Sequence, residues 1–271
     1  RFLMEGISEA NVVGIATGLA LEGKIPYVNT IATFITRRCY EQVVLDASMH
    51  NVNVRLIGNG GGMVYAPLGP THLAIEDLAI LRAVPNMTIV APADADEMWE
   101  RIDYWLQRVI PVAEECNVQM ACHPSDPGIG VGNPYRGVDR VLGMSEGFKK
   151  LIALYDSPCN GLNFCVGCMS ECLENPAEEI YDVIRYFGER KRIFNVHFRN
   201  IKGGFRKFVE VFPDEGDVNM LEVLRTFKAV DYPYMIMPDH VPQISGPEPG
   251  KVGFSFTYGY IHAMMQAVDE G

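Results

Sequence analysis

Four short apolar runs in the second half of the chain end in residues that bind metals or move protons. The run "VQMACH" (118–123) ends in His123, "GLNFCVG" (161–167) carries Cys165, "RIFNVHF" (192–198) carries His197, and "YMIMPDH" (234–240) ends in Asp239 and His240. Two imidazoles, a thiolate and a carboxylate suit a divalent transition ion such as zinc, manganese or ferrous iron. Any one of them alone reads as an ordinary hydrogen-bonded core or loop residue. Their recurrence at matching places in consecutive runs is what argues for a single site. A rival grouping, Cys159, Cys165, Cys168 and Cys172, invites an iron–sulfur or zinc cluster, but its spacing does not match the common cluster patterns.

Elements must carry these groups to one place. The apolar runs read as β-strands, and 145–155, 176–188 and 219–230 between them read as helices. Strand ends about forty, thirty and forty residues apart give the rhythm of βα units, and four such units are half of an eight-fold barrel. In parallel α/β folds the carboxyl ends of strands open onto a shared mouth, where chemistry sits. The first hundred residues carry a different α/β pattern. Residues 8–22 read as a helix with Ser8 as N-cap and Gly23 as its stop, 25–34, 53–58 and 87–91 as strands, and 73–83 as a helix. A helix over 97–114 follows, which Pro111 is expected to kink or end. The fold class is therefore α/β: a parallel three-layer segment over 1–97, then a (β/α)4 half of a TIM barrel over 98–271.

The totals narrow the function classes. With 23 basic and 34 acidic residues the formal net charge is −11, which argues against nucleic acid or an anionic membrane as partner. No membrane-spanning helix and no secretory signal are expected from the apolar runs of the sequence. Seven cysteines in a chain of 271 residues fit reduced thiols in the cytoplasm better than a disulfide framework. The opening Arg-Phe-Leu-Met reads as the middle of something longer.

The motifs "IPVAEECNVQMACHPSDPG", "GLNFCVG", "FNVHFRNIKG", "MPDHV" and "YGYIHAMMQA", in that order, make residues from about 98 to 271 resemble the C-terminal half of mannonate dehydratase, a TIM-barrel sugar-acid lyase. The resemblance implies loss of water from D-mannonate to give 2-keto-3-deoxy-D-gluconate in hexuronate breakdown, with Mn2+ or Fe2+ as cofactor. It implies His123, Cys165, His197 and Asp239 as metal ligands and His240 as an acid/base group. Arg199 and Asn200, directly after a ligand, are assigned to the substrate's carboxylate and hydroxyls, with a loop ion pair as the other reading. The family's second acid is a tyrosine. The ungapped position holds Phe254, and Tyr258 and Tyr260 follow slightly later, with Tyr258 the nearest candidate.

Residues 1 to about 97 resemble something else, the pyrimidine-binding domain of transketolase-like, thiamine diphosphate enzymes. The carriers are "EGISEANVVGIATGLALEGKIPYVNTIATFITRRCYEQV" and "GPTHLAIEDLAILRAVPNMTIVAPAD". This implies Glu9 against the aminopyrimidine, Phe34 stacked on it and His72 on the substrate side. The Gly-Asp-Gly motif that holds the diphosphate is missing, so thiamine diphosphate is expected only if a partner subunit completes the site. The chain thus reads as two truncated pieces joined, chimeric in character. Three functions stand open: a sugar-acid dehydratase, a thiamine-dependent component, and a non-catalytic chimera. Half a barrel leaves sheet edges bare, so pairing into a homo-oligomer is expected.

Overall fold

The computed structural model describes residues 3–92, 94–129, 132 and 139–270. Backbone packing divides the chain into two compact units, Arg1–Ala91 and Pro92–Gly271.

In the first unit, helix α1 (Glu9–Leu21) starts at Ser8, whose hydroxyl donates to the Glu5 carbonyl (2.7 Å) instead of capping the helix. It stops at Gly23, where φ is +79°, a conformation that costs glycine little. Strands β1 (Tyr27–Ile31) and β2 (Arg55–Asn59) pair in parallel. Between them the chain winds through a π-helical turn at Phe34–Arg38, the short α2 (Tyr40–Gln42) and a second π-helical turn at Val43–Ser48. Val13, Val28, Ile35, Cys39 and Val43 form the core of this unit. The third strand expected at 87–91 is not formed. Met87 packs on the core but Val90 is 53% exposed, and a lone extended segment has no ladder to satisfy its amides. The helix expected at 73–83 shrinks to α3 (Asp77–Leu81), because Ala74 is drawn into a bridge with Gly62 through two 2.9 Å hydrogen bonds.

The second unit opens with α4 (Ala95–Cys116). Asp94 caps it by accepting from the Glu97 amide at 2.9 Å, and Asn117 ends it in the left-handed region. Pro111 lies inside this helix and does not end it. A helix-interior proline costs about 3 kcal/mol. Leu106 and Ile110, on the buried face one turn away, each return about 1.5–3 kcal/mol on burial, enough to carry the helix through. Then come β3 (Met120–Cys122), α5 (Ser145–Leu154), β4 (Asn160–Cys165), the short α6 (Val166–Glu171), α7 (Pro176–Glu189) and β5 (Ile193–His197). A hairpin of β6 (Asn200–Gly204) and β7 (Lys207–Val211), α8 (Met220–Ala229), β8 (Ile236–Met237) and α9 (Pro249–Glu270) complete the unit. Strands β3, β4, β5 and β8 form a parallel sheet in that order. Phe148, Phe164, Phe187 and Phe227, all essentially buried, fill the space between this sheet and its helices.

Two strands are shorter than their apolar runs suggest, and proline explains both. β3 stops before His123-Pro124, and β8 stops at Met237, before Pro238. With no N–H to give a ladder, proline ends the pairing and leaves the next residues free to turn over the strand ends. That is why the apolar run at 234–237 gives way to Asp239 and His240.

Candidate metal centre

Pairing register places the four expected ligands on one sheet face. Cys165 pairs with His197, and His197 with Met237, so Asp239 lies two residues further along the same face. Cys122 pairs with Leu162, which puts His123 level with Asn163, two residues before Cys165. One irregularity makes this work. Leu162 pairs with Ile193, yet Asn163 pairs with Asn195, so β5 holds one extra residue at this point. Without that bulge Cys165 would pair with Val196, and His197 would be out of phase with it.

The ligand atoms of His123, Cys165, His197 and Asp239 all lie within 4.8 Å of one another. His123 Nδ1 sits 2.7 Å from the Pro124 carbonyl, an acceptor, so Nδ1 carries a proton and Nε2 turns its lone pair inward. His123 Nε2 is 3.2 Å from His197 Nδ1, which is 3.5 Å from Asp239 Oδ2. The carboxamide of Asn163 lies 3.0 Å from His197 Nε2 and accepts from Asn195 Nδ2 at 3.0 Å. As oriented, that carboxamide donates through Nδ2 to His197 Nε2, and the ring's Nδ1 faces His123 and Asp239.

Charge follows the geometry. Burial works to raise the Cys165 thiol, but hydrogen bonds from Cys168, His123 and His197 and the charge of Arg199 outweigh it and hold it well below the ordinary thiol range. Its sulfur also accepts from the Cys168 amide (3.4 Å) at the start of α6. Burial pulls His197 down, yet hydrogen bonds and charge from Asp239 and Cys165 push it up to about 9. Burial raises Asp239, and the hydrogen bond and charge of His197 more than reverse this. Two anionic donors and two imidazoles aimed at one point fit a divalent transition ion by the chemistry of the set.

Only 4% exposed, Arg199 donates through Nη2 to Glu171 (3.0 Å), Asp126 (3.1 Å) and Cys168 Sγ (2.9 Å), and through Nη1 to Glu210 (3.1 Å). Gly167 leaves it room, since a Cβ there would stand 2.5 Å from Arg199 Nε. Both Nη nitrogens are thus engaged by neighbouring acids and a thiol, and Nε is buried without a hydrogen-bond partner. Asn200 is held by the backbone around it. Its Nδ2 donates to the Pro213 and Val218 carbonyls (2.8 and 2.9 Å) and its Oδ1 accepts from the Ile201 and Val218 amides (2.9 and 3.4 Å). It is 1% exposed and clamps the 213–218 turn. Asp126, Cys168 and Glu171 also lie within 4.8 Å of one another, but Arg199 already neutralises that cluster.

His240 stands at the edge of the centre. Nδ1 is 2.8 Å from Glu210 Oε1, and Nε2 is 3.4 Å from Asp239 Oδ2. The Glu210 carboxylate as acceptor beside Nδ1, ahead of opposing burial, raises its pKa. Tyr258 is not brought in. It is 52% exposed on α9, and its ring partner is Phe254 at 6.4 Å.

Asn163, Asn195, Asp126, Glu171 and Glu210 were not singled out from sequence. For the two asparagines a signal existed: each is polar, in an apolar strand, two residues before a ligand and therefore on its face. Glu171 offers a test of the buried network. Burial and the charge of Asp126 push it up to about 7, against Arg199 and the Gly128 amide. A carboxyl whose folded pKa exceeds its unfolded value of 4.5 contributes stability below 4.5 that is lost as pH rises to about 7. Urea titrations from pH 4.5 to 8 should show the wild type losing stability relative to Glu171→Gln across that window; a constant difference would contradict the assignment.

In the first unit, Arg38 joins the three residues that the transketolase resemblance groups. It pairs with buried Glu9 at 2.8 Å and lies 3.7 Å over the Phe34 ring, which meets His72 edge-on at 5.0 Å. Beside it a cavity of about 420 Å³ is lined by Thr33, Phe34, Arg37, Arg38, Pro70 and Thr71. Arg38 thus engages Glu9 Oε2 and one face of the Phe34 ring, the groups that the resemblance assigns to the pyrimidine.

Comparison with known proteins agrees with this division. The family described as transketolase, pyrimidine binding domain, matches residues 1–110, and the family described as D-mannonate dehydratase matches residues 76–270. Mannonate dehydratase from Thermotoga petrophila is 35% identical over 184 residues, covering 65% of this chain and 49% of that protein. The enzyme of the same name from Geobacillus thermodenitrificans is 36% identical over 166 residues, covering 60% of this chain and 43% of its own. The chain spans about half the length of the curated relatives it matches. A crystal structure of mannonate dehydratase from Streptococcus suis shares the fold, with a TM-score of 0.54 and 21% identity over 96% of this chain and 84% of that one. A sheet that gathers two imidazoles, a thiol and a carboxylate, in a stretch the family matches from residue 76 to residue 270, places this chain in the D-mannonate dehydratase family.

Proposed function

We propose that the chain is a metal-dependent sugar-acid dehydratase that converts D-mannonate to 2-keto-3-deoxy-D-gluconate and water. The observation that carries this is the convergence of the four ligand atoms within 4.8 Å of one another in a chain of this family. His123, Cys165, His197 and Asp239 would hold the ion, with Mn2+ or Fe2+ as the cation. When bound, it supplies a Lewis acid that stabilises negative charge building up beside the substrate carboxylate. His240 moves the proton: Nε2 faces the Asp239 side of the centre, within reach of a substrate held there. Asn163 holds the His197 ring, and Arg199 supports the centre from behind through Cys168 and Glu171.

The finer architecture belongs to the same reading. The sheet of β3, β4, β5 and β8 is four consecutive βα units of an eight-fold barrel, β3 and β8 are its edges, and a second copy of the chain pairs with them. Residues 1–97 are a transketolase-like segment that takes no part in the chemistry. No helix among the described residues is long and apolar enough to cross a membrane, which agrees with a sugar acid as the partner. A second reading follows from the centre's own geometry. Its ligands come from four different strand ends, so an ion there would staple the sheet even without turnover.

The deciding experiment is D-mannonate turnover by the folded chain with and without added manganese, read as release of the 2-keto-3-deoxy acid. Manganese-dependent product is expected. Full metal occupancy with no product would select the staple.

A further inference from the structure

We propose that Glu210 is the positioning residue of His240: its carboxylate, carried on the β6–β7 hairpin, holds the Nδ1–H side of the imidazole so that Nε2 is presented to the metal centre. This rests on the reading of His240 as the proton-transfer group.

His240 needs such a partner. It follows Pro238 and Asp239 beyond the end of β8, its side chain is 48% exposed, and no strand ladder fixes it. Left alone, an exposed imidazole samples both ring faces and both tautomers. Glu210 removes that freedom. Its Oε1 is shielded from solvent, has no well-aligned donor, and lies 2.8 Å from His240 Nδ1, so a small rotation of the ring supplies the missing proton. Its Oε2 accepts from Arg199 Nη1 at 3.1 Å. Arg199 is pinned on its other nitrogen by Glu171 and Asp126, so the carboxylate is held from behind by a buried guanidinium. On the far side of the ring, Nε2 meets Asp239 Oδ2 at 3.4 Å and Arg199 Nη1 at 3.3 Å. The order is thus Arg199, Glu210, His240, centre. A carboxylate against Nδ1–H leaves Nε2 with a lone pair for taking a proton, and stabilises the imidazolium that results. An acid that only anchored the hairpin would not need an oxygen turned on the one half-exposed imidazole of the site.

The test reads the ring directly. Protein with nitrogen-15 histidine, loaded with diamagnetic zinc, is examined at alkaline pH, where the ring is neutral; His240→Gln identifies the signal. The wild type should show His240 protonated on Nδ1. Glu210→Ala should move the proton to Nε2 or mix the forms, and Glu210→Asp, which keeps an acceptor oxygen for His240 and one for Arg199, should recover the Nδ1–H form. Metal content should be the same in all three. In turnover, Glu210→Ala should lower kcat on the order of a hundredfold with KM within about threefold, and Glu210→Asp should recover part of it. A wild-type ring protonated on Nε2 overturns the proposal with no variant needed, and so does a Glu210→Ala ring that stays in the Nδ1–H form. If wild type turns over no mannonate, the dehydratase reading fails while the nitrogen-15 spectrum still decides the role of Glu210.

Discussion

Replacing His197 by alanine is expected to empty the centre: bound manganese or iron should fall from about one per chain to less than about a tenth. His197 is the hub of the cluster, with His123 Nε2 at 3.2 Å, Asp239 Oδ2 at 3.5 Å and the Asn163 carboxamide at 3.0 Å. Its loss removes one donor, the main group that holds down the pKa of Asp239, and one of several that hold down that of Cys165. What remains is two acidic groups facing each other across a gap, with one imidazole. Loss of an outer-shell support alone typically costs 10–100-fold in affinity, and loss of a direct ligand costs more. Because an ion that binds only the folded state stabilises it, the rise in Tm on adding manganese should vanish with the binding. Metal analysis and melting curves, with His262→Ala as a control remote in sequence, check this. Unchanged metal content in His197→Ala would remove the centre from the account.

The second large effect is expected at Arg199, and it is one of stability. Glu171 is 0% exposed and depends on Arg199 for its charge partner, while Asp126 and Glu210 lean on the same guanidinium. Breaking a buried pair from one side leaves an uncompensated charge and costs about 3–5 kcal/mol. Arg199→Ala should therefore lower the urea midpoint by that equivalent at pH 8. Arg199→Lys should recover only part of it, since a single ammonium cannot span acceptors that two guanidinium nitrogens now serve. A group that merely binds the substrate carboxylate behaves differently: its removal raises KM and leaves folding intact. An Arg199→Ala protein within about 1 kcal/mol of wild type, with a raised KM, would favour the substrate role inferred from sequence.

The surroundings of Arg199 and Asn200 are not legible from their place in the chain. Both follow His197, and proximity in sequence to a ligand suggested proximity to substrate. At the end of β5 the chain instead turns straight into β6, where Asn200 is consumed by the 213–218 turn and Arg199 by acids from three other segments. None of those partners is within ten residues of Arg199, so no local pattern announces them. The same holds for Arg38, whose grip on Glu9 joins residues 29 apart.

Local features were legible along the chain: the helices observed over 145–154, 176–189 and 220–229, the strand cores at 120–122, 160–165 and 193–197, and the side-chain types at the strand ends. These follow from periodicity, capping and proline, which act over a few residues. Only the tertiary structure decided whether those side chains share a face. That depends on the register between strands thirty to forty residues apart, and on one extra residue in β5 that brings His197 into phase with Cys165. Side chains alternate with period two, so a single-residue slip moves a ligand to the opposite face, and a bulge that prevents the slip is chosen by packing, which no short stretch of sequence contains.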